Sequence, residues 1–566
     1  MTAPASYGAC FFMPAAITLP FVLLSASKKL SATSMTPNKL RQRIGLLALS
    51  VALALGGQPV YAQSNNLPPL TMSGNRLPNL GDGIEIPLGV ERRLGENIAR
   101  EIYRDPDYID DPVLGDYVQS FWQVLLNAAR QRGELTPELE QQFAWEVTLI
   151  RDRSINAFAL PGGYLGVHLG LISAVSNGGE LASVLAHELS HVTQRHIARM
   201  MSQQGRQGPM VIGAMILGML AASRTPSASG MSAANAVMVG GQAAAIQSQL
   251  NFSRDMEREA DRVGYGVMTD AGYEPQGFVT MFEKLQQAAR LNDNGSFPYL
   301  RSHPMTTERI ADAQARQQLL PARPPVPTTP LHAMMSARAL VLTNPGIDTL
   351  RGLSVQAASS TLATAPLWRQ AGTLYAAAMA EMRQRDWPNA RRSLVRLEAL
   401  PLTEPAAQRV VLLFKAELAL QSGEAMQAVN LLHTKTTVIN THDRASRLLL
   451  AQSRVATHLP AQGKLAADDL VMWVNRMPRD ANAWLYLSAA YELQGDTLRA
   501  IRAQAEARAA ELDYAAALDR FKAAQAVAYQ LAKEGKLDRS GNIEASIVDA
   551  RLRELERLRR EQMLER

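Results

Sequence analysis

The sequence predicts a mainly α protein in two parts, an α+β domain with a small sheet and an all-α solenoid of helical repeats. Three observations carry this. Strand-like patterning is confined to residues 143–168, where Phe143 to Ile150 alternates apolar and polar residues and a glycine-containing turn follows. The run Leu320-Pro-Ala-Arg-Pro-Pro-Val-Pro-Thr-Thr-Pro330 is a stiff, proline-rich break. Beyond it the composition turns to Ala, Leu, Arg and Gln with helical periodicity, and residues recur at a period of about 34–38.

Composition bounds the rest. The chain has 566 residues, 47% of them hydrophobic and 19% charged, which is an ordinary globular balance. The 37 glycines and 30 prolines follow no period of three, so a collagen-like chain is excluded. A single cysteine, Cys10, excludes a disulfide scaffold. A mean hydropathy of -0.10 argues against many membrane spans. The net charge of +6 is concentrated at one end: the first 62 residues hold Lys28, Lys29, Lys39, Arg41 and Arg43 and no acidic residue. Without them basic and acidic residues are near balance, which gives no global pull toward nucleic acid.

Taken in order, residues 1–62 read as a leader. Met35 to Arg43 is a basic segment, Ile44 to Leu55 an apolar one too short for a span, and Val60 and Ala62 suit a cleavage site after Ala62. Residues 1–34 then form an upstream extension, with Met35 the expected true start and the mature chain exported without Cys10. Residues 63–84, rich in Pro, Asn and Gly, read as a flexible lead-in.

Residues 85–320 are expected to form the α+β domain. Two helical patterns run from about 87 to 131, the second over Val113 to Arg130. The Phe143–Ile150 strand follows. Asn156-Ala-Phe-Ala-Leu-Pro-Gly-Gly-Tyr-Leu-Gly-Val-His168 is a turn feeding a second short strand, and Asn177-Gly-Gly179 precedes a helix over 180–200. Residues 207–250 are poor in charge, holding only Arg224. They fit a helical hairpin packed on the core, or a lid or membrane-facing flap over a site, with peripheral membrane contact as the consequence. Residues 254–289 return to charged helical patterns.

Residues 321–331 are the linker and 332–566 the repeats. The clearest unit carries Trp484, Leu487, Tyr491, Gly495 and Ala500 at tetratricopeptide spacing. Leu374 with Ala390, and Leu412 with Gly423 and Ala428, mark weaker units closed by Pro401 and Pro478. Stacked units of this kind make a concave binding surface. Ser546 to Arg566, dense in Arg and Glu, reads as a solvated capping helix.

The chemistry concentrates in Leu185-Ala-His-Glu-Leu-Ser-His-Val-Thr-Gln-Arg-His196. On a helix His187 and His191 lie one turn apart on one face, so both imidazoles can reach a single metal ion. Glu188 points slightly aside, placed to take a proton from an attacking water. Val184, Leu185, Leu189 and Val192 set the segment inside a core. A catalytic zinc needs a third protein ligand and an open fourth position. In Asp255-Met-Glu257-Arg-Glu259-Ala-Asp261, Glu257 and Asp261 share a helical face: Glu257 is the candidate ligand, and Asp261 would orient a ligand imidazole. Glu259 falls on another face and reads as solvated. His196, about half a turn round from His187, reads as structural. His168, His332, His433, His442 and His458 receive no role.

His303 is placed at the site in one of two ways, stabilising the oxyanion beside zinc or filling the fourth zinc position as a latch. The backbone around Gly162, Gly163 and Tyr164, with Asn156 before it, reads as an edge strand that would pair with an extended substrate by main-chain hydrogen bonds.

These features together, His187-Glu188-x-x-His191, Glu257-x-x-x-Asp261, Asn156-Ala-Phe-Ala-Leu-Pro-Gly-Gly-Tyr164 upstream, and Ser302-His303-Pro304 with Arg309-Ile310 downstream, resemble the zinc metallopeptidases of the HtpX and CAAX-prenyl-protease class. The resemblance makes the α+β part a zincin-like metallopeptidase domain over about residues 85–320. An export signal and C-terminal repeats narrow it to the periplasmic beta-barrel assembly-enhancing proteases of Gram-negative bacteria. It implies one zinc per chain, held by His187, His191 and Glu257, with Glu188 as general base. It also implies protein substrates, unfolded or misassembled outer-membrane proteins, and assembly machinery bound through the repeats. A second class of function is a repeat-based assembly factor or chaperone with a vestigial protease domain.

Overall fold

The computed structural model describes residues 86–203, 254–290, 299–318, 327–434 and 443–564. The expected leader, the 63–84 lead-in, the 207–250 insert and most of 321–331 lie outside the described residues, as does His442.

Helix α1 (Leu88–Tyr103) enters after Pro87. Strand β1 (Tyr108–Ile109) leads to α2 (Pro112–Gln131), which Asp111 caps by accepting the Leu114 N–H at 2.8 Å, with Pro112 in the first turn where no N–H is needed. A short α3 (Pro137–Gln142) precedes β2 (Glu146–Ile150), β3 (Ala157–Leu160) and β4 (Tyr164–His168). The strands form one sheet in the order β1-β2-β4-β3, with β2 parallel to β4 and both outer pairs antiparallel. The expected turn therefore holds a hairpin of two strands, β3 and β4, joined at Pro161-Gly162-Gly163. Gly162 at φ 71° and Gly163 at φ 85° make that joint; a Cβ on Gly162 would lie 2.7 Å from Arg92 Cα in α1.

The sheet order corrects one expectation. β4 lies inside the sheet, between β2 and β3, and Gly162, Gly163 and Tyr164 are buried. Residues 162–167 are therefore no edge; that place falls to β3. Strand order is set by long-range pairing, which the alternating pattern of one segment does not encode.

Helix α4 (Leu169–Ala174) turns the chain into α5 (Gly178–Thr193), capped by the Asn177 side chain on the Glu180 N–H at 3.0 Å. The expected single helix over 180–200 is two. Arg195 adopts φ 53° and breaks the run, and α6 (His196–Gln203) restarts in a new direction. Helices α7 (Arg254–Asp270), α8 (Gln276–Arg290), α9 (Tyr299–Ser302) and α10 (Thr307–Gln318) complete this part. Gly264 lets α7 press on α5, since a Cβ there would lie 3.0 Å from the Ala186 carbonyl. The apolar face of α2, including Leu114, Val118, Trp122 and Leu125, shares a core with Leu181, Leu185 and Leu189 of α5.

The C-terminal region is all-helical among the described residues. It runs α11 (Pro330–Leu342), α12 (Ile347–Ala358), α13 (Leu367–Arg383), α14 (Trp387–Glu398), α15 (Pro405–Gln421), α16 (Ala425–Thr434), α17 (Arg444–Ala456), α18 (Pro460–Arg476), α19 (Ala481–Leu493), α20 (Thr497–Ala510), α21 (Tyr514–Lys533) and α22 (Arg539–Leu564). Successive helices pack as hairpins, with Trp484, Leu487 and Ala500 buried between α19 and α20 and Gly495 at φ 76° in their turn. Terminal helix α22 buries Val548, Leu552 and Leu555 against α21. No described helix is long and apolar enough to cross a membrane.

This region docks on the first through a seam of ion pairs. Three aspartates around the start of α2 each meet an arginine. Arg338 in α11 reaches Asp111 with two bonds of 2.8 and 2.6 Å, Arg444 in α17 reaches Asp110 with bonds of 2.6 and 2.5 Å, and Arg409 in α15 lies 2.9 Å from Asp116. His332, given no role in the sequence, is buried between the Tyr117 hydroxyl at 2.7 Å and the Val175 carbonyl at 3.0 Å.

Candidate metal centre

Helix α5 carries His187, Glu188 and His191 on its buried side, and all three are essentially without solvent contact. The close approach of α7 at Gly264 brings Glu257 and Asp261 against them. The loop after α9 delivers His303 from the other side. His187, His191, Glu257 and His303 each offer one ligand atom, and these atoms lie within 4.8 Å of one another. The structure thus gathers the expected ligands and His303 into one cluster.

The contacts inside it are those of converging ligands. His191 Nε2 lies 3.0 Å from His187 Nε2, and His187 Nε2 lies 3.3 Å from His303 Nδ1. Glu257 lies 3.6 Å from His187 Nε2, 3.5 Å from His191 Nε2 and 2.9 Å from His303 Nδ1. The three ring nitrogens and the carboxylate oxygen converge closely enough for each to turn a lone pair on one cation. Glu188 has one oxygen held by the Ala159 N–H of β3 at 2.9 Å. Its other oxygen, 3.3 Å from His303 Nε2, is buried with no hydrogen bond among the described residues. A borderline-soft dication bound by two or three imidazoles and a carboxylate fits this donor set.

Asp261 Oδ1 lies 3.0 Å from His187 Nδ1, and His187 turns Nε2 inward. Sequence reasoning gave Arg309 no role, yet it ties the site together. Buried, it grips Asp261 with two bonds of 2.6 and 2.8 Å and lies 2.7 Å from Glu257 Oε2. Its only signal was the Arg309-Ile310 pair after His303. Two further readings change. Glu259 is not simply solvated: it accepts from Arg199 at 2.7 Å and meets His196 Nε2 at 3.1 Å. His196 is fully buried, its Nδ1 2.9 Å from His191 Nδ1.

Burial pushes the Glu188 carboxyl above its ordinary value, against the pull of His303 and His187. Burial also acts upward on Glu257, but His303, His187 and Arg309 outweigh it and leave the carboxylate below its usual range. His191 is driven well down by burial and by the neighbouring imidazoles, which favours the neutral ligand form. Burial takes His196 down to about 4.

A family model for peptidase family M48 matches residues 123–317, the segment that holds every one of these groups. Residues 123–317 are thus matched as an M48 peptidase domain. It is a zinc metallopeptidase, and the cluster is where the zinc fits. The chain is 29% identical over 497 residues to the beta-barrel assembly-enhancing protease of Escherichia coli, a match covering 87% of this chain and 93% of that one. A Vibrio cholerae protein provisionally given the same name is 33% identical over 303 residues, covering 53% of this chain and 57% of its own length. A mitochondrial metalloendopeptidase of Saccharomyces cerevisiae is 27% identical over 198 residues, covering 34% of this chain and 53% of the relative.

Proposed function

We propose that this metallopeptidase is an exported endopeptidase of the bacterial periplasm. In this reading it clips misfolded or misassembled outer-membrane proteins, and its C-terminal helices, read as tetratricopeptide-like repeats, recruit those substrates or the assembly machinery. The observation that carries the catalytic part is the position of Glu188, buried beside the four converging ligand atoms with one oxygen fixed and one unbonded. The envelope role is supported by the name and the length of the match to the Escherichia coli relative.

His187, His191 and Glu257 would hold the zinc, with Asp261 and Arg309 fixing His187 and Glu257 in place. Zinc bound there supplies Lewis acidity and acidifies water. Glu188 removes the proton from the attacking water and returns it to the leaving amine. An extended substrate would add along β3, the outer strand among the described residues, which presents the Ala159 N–H to Glu188. His303, within reach of Glu257 and Glu188, reads as a latch that fills the fourth ligand position until its loop moves.

Glu188→Gln tests the catalytic reading: cleavage of an unfolded protein should fall by about a hundredfold or more while zinc is retained. Wild-type cleavage by the variant would end it. A variant that cannot cleave but fully replaces the wild type in a deletion strain would favour the assembly-factor reading. His303→Ala sharpens the latch. Cleavage should rise several-fold; a fall would assign His303 to the oxyanion, and no change would remove both roles.

A further inference from the structure

We propose that His196 and Glu259 form a relay that positions the ligand His191, in the order Glu259, His196, His191, metal. The proposal rests on the metal centre described above and concerns residues outside its ligand set.

A histidine that binds a metal through Nε2 must carry its proton on Nδ1, and that N–H needs an acceptor when buried. For His187 the group facing Nδ1 is a carboxylate, Asp261, at 3.0 Å. His191 turns Nε2 toward His187 and Glu257, so its Nδ1 points away from the cluster. There it meets the imidazole of His196, Nδ1 to Nδ1 at 2.9 Å. One of these two nitrogens donates. If His196 donated, His191 would carry its proton on Nε2 and lose the lone pair that faces the cluster. His191 must therefore donate and His196 accept. That leaves the His196 proton on Nε2, where Glu259 Oε2 receives it at 3.1 Å. Arg199, 2.7 Å from the same carboxylate oxygen, keeps Glu259 charged and aimed.

The backbone is shaped for this contact. In an unbroken helix residue 196 would sit about 140° round from residue 191 and point elsewhere. The left-handed Arg195, at φ 53°, breaks α5 from α6 and swings His196 back onto His191. A non-glycine residue in that conformation is held by its surroundings, and Arg195 is anchored by Glu91 of α1 at 3.1 Å and by the Ile86 carbonyl. The N-terminal helix thereby fixes the turn that sets a metal ligand.

Metal affinity tests the relay without any substrate. The full chain is loaded with zinc, and the dissociation constant is measured by competition with a chromophoric chelator, alongside the visible spectrum of the cobalt-substituted protein. His196→Phe keeps the ring's bulk and removes the acceptor. It should weaken zinc binding by about tenfold to a hundredfold and shift the cobalt bands. His196→Asn, which can still accept from His191, should recover part of the affinity. Glu259→Leu, at the partly exposed end, should lose about threefold to tenfold, which keeps the test open if His196→Phe does not fold. Wild-type affinity and an unchanged cobalt spectrum in either folded His196→Phe or Glu259→Leu would overturn the relay, as would a loss of thermal stability with no change in affinity. A wild-type chain that binds no zinc would overturn the metal centre itself, a distinct result.

Discussion

Two polar clusters of this molecule, one half-buried and one fully buried, are arranged on opposite principles. In the seam between α2 and the C-terminal helices, oxygens face guanidinium N–H groups: Arg338 meets Asp111, Glu417 and the Tyr375 hydroxyl, and Arg444 meets Asp110 and Asp480. At Arg338 and Arg444 donor answers acceptor. In the α5–α7 cluster, ring nitrogens face ring nitrogens at 3.0 and 3.3 Å, and among the described residues a Glu188 oxygen has no hydrogen bond. Lone pairs converge there instead of pairing. The difference separates a network that ties helices together from one suited to a cation.

The comparison can be broken by removing one member from each. His187→Ala should cost about a thousandfold or more in peptide cleavage, since several kcal/mol of charge stabilisation leave with the metal. Its apo thermal stability should be nearly that of the apo wild type. Arg338→Ala should do the reverse. It strands Asp111 in the seam and should cost about 3 kcal/mol of stability, read by denaturant unfolding, with zinc content unchanged. If Arg338→Ala lost zinc at full stability, or His187→Ala unfolded the chain, the two clusters would not be separable.

The smallest effect sharpens the seam. Burial pushes Asp116 up to about 6, against the Ala445 N–H and Arg409. Its value in the unfolded chain is about 3.9. A carboxyl raised on folding contributes stability that is complete below the unfolded value and is lost as pH rises through the folded one. Asp116→Asn should therefore flatten part of the fall in Tm between about pH 4 and pH 6.5. An identical pH profile in both proteins would show that Asp116 is not desolvated as described.

Local signals carried much of this site. His187-Glu188-x-x-His191 and Glu257-x-x-x-Asp261 are helical spacings, and helical spacing is set by neighbours in sequence. His303 entered through its motif. What escaped depends on distant contacts or on backbone that carries no residue signature. The position of β3 at the edge is a fact of sheet order. The break at Arg195 has no glycine to announce it, so the contact of His196 with His191 is not legible from helical spacing. Arg309 and the Asp110, Asp111 and Asp116 seam join residues far apart along the chain, and a lone Asp or Arg looks the same whether solvated or paired. The helical hairpins were legible from Trp484, Leu487, Gly495 and Ala500, whereas their docking on α2 was not.

The most direct test of the central claim is the zinc content of the purified chain by elemental analysis. The cluster requires about one zinc per chain, absent from His187→Ala. A folded wild-type chain that holds no zinc and takes none up on reconstitution would contradict the metal centre and leave the docked helices as the working part of the molecule.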